Sequence, residues 1–335
     1  MTSKVAAGFI LALVWIKAAA APASWPSNTI GEKPFGVLLL GEGGTRDWKT
    51  QLDMILKRAG TRYPLEFAPG LADGKELQRG IDALADKRVR TIVVVPLFVS
   101  SSDEVMDQNR FLLGIREKPS QALLNAPHAH AGAPAQRLRS RVPLVLTKAL
   151  DDHPLFVDLL ASRAKAQSRH PEQEAVLLVG AAPLSADAAK EWTAAAVALA
   201  EKVRQKGGFA AAGAYALSSG PLQSDREKSE AGFAALAREL GRKHRVIVVP
   251  LSMTGGDLRV NEALDGLFVK YDGRAILPDE RIAQWVDQSA AAAAKLPDMR
   301  MFKDMARAGL RPTGLTPPPA LTPPPALPRQ GDKKE

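Results

Sequence analysis

Four short runs of β-branched and aliphatic residues recur along the chain with no polar alternation: Phe35–Leu40, Thr91–Leu97, Ala175–Val179 and Arg245–Leu251. A run that is apolar at successive positions marks a strand buried on both faces, as in a parallel sheet. The segments between them fit strand–helix alternation, with helices over 47–60, 73–86, 186–206 and 223–242 and strands near 64–68, 142–148 and 209–216. A further helix begins at Pro154, a favourable first helical position, with Asp152 as its cap, and Asp279 caps the last helix in the same way. This alternation predicts open parallel sheets with helices on both faces, an α/β protein. In such sheets ligands sit beyond the carboxyl ends of the strands, where the strand order reverses.

The runs come in pairs. Thr91-Ile-Val-Val-Val-Pro-Leu97 is echoed by Arg245-Val-Ile-Val-Val-Pro-Leu251, and each ends in proline before a small polar loop, Ser100-Ser-Ser-Asp103 in one and Thr254-Gly-Gly-Asp257 in the other. Phe35–Leu40 leads into Gly41-Glu42-Gly43-Gly44, and Ala175–Val179 into Gly180-Ala181-Ala182-Pro183, with Trp48 and Trp192 close behind. The pattern predicts two lobes from an internal duplication, each with its own core, facing across a cleft. Their expected bounds are 34–170 and 171–295.

The ends read differently. Residues 1–23 have the form of a secretory leader, with Lys4, a short apolar run from Val5 to Ile16 and small residues at 19–23. The run is short for a bilayer span, and no later segment is apolar enough, so the expected mature protein is exported, periplasmic or extracellular, with no stable membrane span. Residues 296–335 form a tail in which Leu315-Thr-Pro-Pro-Pro-Ala320 repeats directly as 321–326, a composition that favours polyproline II and a disordered spacer.

Composition narrows the chemistry. The chain has 335 residues and no cysteine, which excludes disulfides, thiolate metal sites, iron–sulfur ligation and cysteine nucleophiles. A net charge of +9 suits either a basic solvated surface or an acidic small-molecule partner. Aromatics make up 5% and are not interleaved with the basic residues, so no nucleic-acid module is expected. There is no Gly-x-Ser-x-Gly elbow and no His-Glu-x-x-His helix. The glycines at 41, 43 and 44 lack a nucleotide-loop ending and are read as a tight strand-to-helix turn. His128-Ala-His130 places two imidazoles within reach of one metal in the irregular 118–140 segment, or leaves two exposed histidines on a loop. Asp103 either joins an acidic cluster with Glu104 and Asp107 or caps a helix. His153 is read as a structural or rim residue rather than a ligand, and Arg46, Arg110, Arg116, Arg137, Arg139 and Arg141 either gather around the predicted cleft loops to meet carboxylates or are dispersed surface charge.

Leu38-Leu-Leu-Gly41-Glu42-Gly43, Val93-Val-Val-Pro-Leu-Phe-Val-Ser100 through Glu104-Val105, and Leu150-Asp-Asp-His-Pro-Leu155 together resemble the sirohydrochlorin cobaltochelatase and ferrochelatase family of class II chelatases. The resemblance runs over roughly residues 34–290 and implies two flavodoxin-like lobes, the second a degenerate half. It implies a reaction that inserts Co, Ni or Fe, as the divalent ion, into a sirohydrochlorin-type tetrapyrrole. The family's two motif histidines fall at Glu42 and Glu104 here, and at Ala181 and Leu258 in the second half. Glu42 and Glu104 are therefore the expected catalytic and metal-binding residues, with His128 and His130 as further metal ligands. Arg46, Arg110, Ser100 and Ser101 are the expected contacts to the acid arms of the ring. The alternative is a non-catalytic exported metal- or tetrapyrrole-binding protein on the same fold.

Overall fold

The computed structural model describes residues 34–43, 46–60, 62–119, 136–218, 220, 222–254 and 260–302. The leader, the histidines at 128 and 130, Leu258 and the proline repeats lie outside the described residues. Among the described residues no helix is long and apolar enough to cross a membrane.

The first half supplies β1 (Gly36–Gly41), α1 (Arg46–Gly60), β2 (Leu65–Pro69), α2 (Gly74–Asp86), β3 (Ile92–Pro96), α3 (Glu104–Leu112), β4 (Leu144–Leu146) and α4 (Pro154–Gln167). The second supplies β5 (Glu174–Ala181), α5 (Ala186–Gly207), β6 (Ala211–Leu217), α6 (Gln223–Gly241), β7 (Arg245–Pro250), α7 (Val260–Ala263), β8 (Val269–Tyr271) and α8 (Glu280–Ala293). Each half builds one four-stranded, wholly parallel sheet, in the orders β2-β1-β3-β4 and β6-β5-β7-β8. Val37 stands opposite Leu65 and Val93, and Val176 opposite Ala212 and Ile247, so the two central pairs repeat one register. The short strand β8 and the single-turn α7 are not visible in the apolar pattern; Val269–Tyr271 is only partly buried at a sheet edge.

Strand residues alternate faces, and here both faces are covered. Val37, Leu39, Val93 and Val95 point into one cluster, while Leu38, Leu40, Ile92 and Val94 point into another under α2 and α3. The second sheet divides its residues likewise, Val176, Leu178, Ile247 and Val249 joining the first cluster. That first cluster is therefore shared. The expectation of a separate core for each lobe gives way to one apolar layer between the two sheets, flanked by an outer layer on each side.

The shared layer is made by helices that cross between halves. The helix α4, at the end of the first half, packs on α5 and on β7; α8, at the end of the second, packs on α1 and β3. Such a position needs apolar surface on most sides, and α4 buries Phe156, Val157, Leu159, Leu160, Ala161 and Ala164 together. Its one buried charge, Arg163, donates to the carbonyls of Arg274 (3.0 Å) and Ile276 (2.9 Å), with Asp279 at 3.9 Å. In the opposite direction Asp287 of α8 accepts from Arg62 and from the Tyr63 hydroxyl, each at 2.7 Å. Burial and the bond to Asp287 push the Tyr63 phenol well above its ordinary range. After α8, Arg300 reaches the carbonyls of Ser140 and Val142, and the Met299 sulfur accepts the N–H of Leu146, which seats this segment on the first half.

Helix caps fall only in part where the sequence places them. Asp279 accepts the N–H of Arg281 at 3.0 Å, and α2 has a cap that the sequence reading did not single out, Asp73. Asp152 does not cap α4. The cap is His153, whose Nδ1 accepts the Leu155 N–H at 3.3 Å, and Asp152, one residue further out, pairs with Lys202. Desolvation outweighs the neighbouring Asp152 charge and lowers the imidazole's pKa, which keeps the acceptor nitrogen available.

At the base of the second sheet Glu174 is 2% exposed and bound to Arg245, the Ser168 hydroxyl and the Arg169 N–H. Burial alone raises a carboxyl's pKa, but these partners outweigh it and hold Glu174 below its ordinary value near 4.5. Replacing Glu174 with alanine strands the guanidinium and is expected to cost about 3 kcal/mol in urea unfolding. The contribution is present above the ordinary carboxylate pKa and is lost as pH falls below it, so wild type and variant converge in acid.

Candidate functional site at the carboxyl ends of the strands

In both sheets the chain leaves the first strand toward one neighbour and returns on its other side, so strand order reverses between β1 and β3, and between β5 and β7. The loops after these strands open on the same region. Gly43 adopts φ +65, and a β-carbon there would lie 2.5 Å from the Pro69 side chain, so the turn that presents Glu42 requires glycine. Trp48 and Trp192 take the same place in each half. A β-carbon at Gly41 would lie 2.8 Å from the Trp48 ring, and one at Gly180 2.7 Å from the Trp192 ring.

A cavity of about 320 Å³ lies between these loops. Glu42, Phe98, Val99 and Asp103 line it from the first half, and Ala181, Trp192, Arg226, Glu230 and Leu251 from the second. Asp103 is the N-cap of α3, its Oδ1 accepting the Val105 N–H at 2.9 Å. Of the two readings that the sequence left open, the structure shows the cap, and Asp103 also lines the cavity without Asp107 beside it. Burial raises its pKa against the opposing pull of that N–H, and the adjacent Glu104 carboxylate raises it further.

Glu104 itself turns toward the other half. Its Oε1 accepts the backbone N–H of Ser185 at 2.8 Å, while Ser185 Oγ accepts the N–H of Ala188 at 3.3 Å. This is a capping box at the start of α5 in which the reciprocal carboxylate comes from the other lobe, set against the positive end of a 22-residue helix. Glu104→Ala is expected to lower stability by about 1 kcal/mol, read as a fall in unfolding midpoint.

The remaining expected contacts are placed as follows. Ser101 donates its N–H and hydroxyl to Asp151 at 2.6 and 2.7 Å, and its Oγ accepts the Ala149 N–H. Ser100 is buried, its Oγ accepting the Ser102 N–H at 3.1 Å. Arg110 binds Asp107 at 2.7 Å, and Arg116 pairs with the same carboxylate, so Asp107 is drawn away from the cavity and does not line it. Arg137 donates to the Arg116 carbonyl and lies 5.5 Å over the Phe111 ring. His128, His130 and the side chain of Arg46 lie outside the described set. The cavity's arginine is Arg226, from α6, which no motif marks. Among the described residues no three carboxylates or histidines come close enough to hold a metal ion together.

The sequence matches no protein-family model and no curated protein. Among solved structures, SirB from Bacillus subtilis with Fe3+ superposes with a TM-score of 0.54 at 13% identity, over 78% of this chain and 96% of that one. The sirohydrochlorin chelatase SirB from Bacillus subtilis subspecies spizizenii in complex with cobalt gives 0.49 at 13% identity, over 78% and 96%. CbiX, described as the terminal enzyme for biosynthesis of siroheme in denitrifying bacteria, gives 0.43 at 16% identity, over 78% and 99%. What the chain shares with the first of these is the fold: two parallel-sheet lobes of the class II chelatase type.

Proposed function

We propose that the protein is a chelatase-like protein that takes a divalent metal ion as substrate in this cavity and delivers it to a tetrapyrrole. The observation that carries this reading is the approach of Glu42 and Asp103, from the ends of adjacent strands, to one cavity at the sheet's reversal point. Oxygen donors of this kind bind divalent first-row ions, with water completing the shell. Glu42 and Asp103 offer two carboxylates, and Glu230 of α6 lines the same cavity without closing a three-ligand cluster among the described residues, which suits a site that loads and releases cargo; a resident structural metal calls for a fuller set. Burial and the neighbouring Glu104 carboxylate disfavour the charge on Asp103, and an arriving cation offsets that cost. Insertion exchanges the two pyrrole protons for the metal, and the carboxylates left by the departing ion accept them. Glu104 supports the pair through its charge beside Asp103 and through the clasp to Ser185.

The test is absorbance of sirohydrochlorin with Co2+ and the purified chain. The expected result is metallation faster than in buffer, lost in Glu42→Gln and Asp103→Asn. Binding of metal and ring without acceleration would identify a carrier, and absence of both would overturn the reading.

A further inference from the structure

The segment ahead of β4 carries arginine at every second position, and its exposure alternates in step. Arg137, Arg139 and Arg141 are exposed, while Leu138, Ser140 and Val142 are partly buried. Leu138 and Val142 pack on the apolar layer under α2 and α3, and the Leu138 N–H donates to the Leu112 carbonyl at 2.7 Å, so the fold keeps the three arginines on the outer side. Arg137 donates to the carbonyls of Arg116 and Glu117, which are neutral acceptors. Arg139 and Arg141 have no side-chain partner among the described residues, and neither has the exposed Lys118, one residue beyond Glu117. Asp107 is already neutralised by Arg110 and Arg116, and Asp298 by Arg300. That leaves the exposed Glu117, and Asp82 across the Gln78 amide, as the acids beside four cations. An apolar side chain borders this basic strip. Arg300 reaches the carbonyls of Ser140 and Val142 at 2.9 and 3.1 Å, which sets its neighbour Met301, 77% exposed, against the strip.

Cations held at fixed positions beside an exposed apolar side chain suit a surface that is anionic in its outer layer and apolar beneath. We infer that this face of the first half docks the protein on an anionic lipid bilayer: Arg137, Arg139, Arg141 and Lys118 meet headgroup phosphates, and Met301 enters the boundary with the acyl chains. A nucleic acid offers the same phosphate charge, but its bases stack on exposed aromatic rings, and the ring at this strip, Phe111, is buried beneath Arg137. Attachment through such a face is peripheral and weakens as salt screens the charges. It goes beyond the proposed function and holds whether or not the cavity loads metal.

The experiment floats the full chain with vesicles of phosphatidylglycerol and phosphatidylcholine in equal parts, and with vesicles of phosphatidylcholine alone. Stronger binding to the anionic vesicles, falling as salt rises, is expected. Arg139→Gln combined with Arg141→Gln should weaken it about thirtyfold, and Met301→Ser about fivefold. Arg242→Gln combined with Lys243→Gln removes the same charge from exposed positions after α6 and should leave binding unchanged. Every variant keeps both chain ends, so a difference between the two pairs belongs to the face itself. Equal binding to both vesicle types, equal loss in both pairs, or wild-type binding in Arg139→Gln with Arg141→Gln would each overturn the inference. Tighter binding to polyuridylate than to the vesicles, lost in that same pair, would make the face a nucleic-acid surface and overturn the lipid assignment. Co2+ uptake read on the same samples tests the proposed function separately.

Discussion

Arg163→Met is expected to destabilise the protein by about 3 kcal/mol, with both halves still unfolding in a single transition. Methionine keeps most of the volume but leaves the carbonyls of Arg274 and Ile276 without their donor in a buried setting. It also removes the cation facing Asp279. Losing one partner of a buried charged network costs the desolvation of what remains, which exceeds the net worth of the bonds themselves. The single transition follows from the shared apolar layer: α4 completes the second sheet and α8 the first, so neither half keeps its core alone. Urea unfolding followed by circular dichroism and by tryptophan fluorescence checks both points. Two separated transitions would show that the layer between the sheets contributes little to cooperativity.

Asp103→Asn is expected to separate function from stability. Asparagine caps a helix as well as aspartate does, so α3 keeps its start. In the wild type the Asp103 carboxyl is raised above its ordinary value of 3.8 by burial, against the Val105 N–H, and further by Glu104. Between the ordinary and the raised value the folded state binds more protons than the unfolded chain, and stability falls as pH rises through that window. Above it the cost is complete; below 3.8 there is none. The asparagine variant carries no such cost, so at neutral pH it should melt at or above the wild-type temperature, with the difference vanishing in acid. Metal uptake should fall at least about tenfold, because one of the carboxylates lining the cavity is gone. Calorimetric Co2+ titration beside melting curves from pH 3 to 8 tests both halves of the prediction, and a variant less stable at pH 7 would show that the charge of Asp103 serves the fold.

Much of the architecture was legible in the sequence. The apolar runs at β1, β3, β5 and β7 predict buried parallel strands because a residue with no polar neighbour on either side can satisfy only a sheet covered on both faces. The echo of Thr91–Leu97 in Arg245–Leu251 anticipates the matching sheet orders. Gly41-Glu42-Gly43 marks the turn that carries Glu42 to the cavity, and the cap at Asp279 is where a short acceptor precedes a helix.

The tertiary structure decided what pattern and spacing do not contain. Periodicity tells that a helix buries a face, not which sheet covers it. The exchange of α4 and α8 between halves, with the core they share, depends on contacts more than a hundred residues apart, such as that of Arg163 with Ile276. Glu104 matches a motif position, yet its partner is the Ser185 N–H of the other half. Arg226 on α6 and Trp192 on α5 share no motif, and only folding brings them to one cavity with Glu42 and Asp103. Local sequence sets propensities and turn geometry at fixed spacing. The cavity is made where distant segments meet, and its chemistry is a property of that meeting.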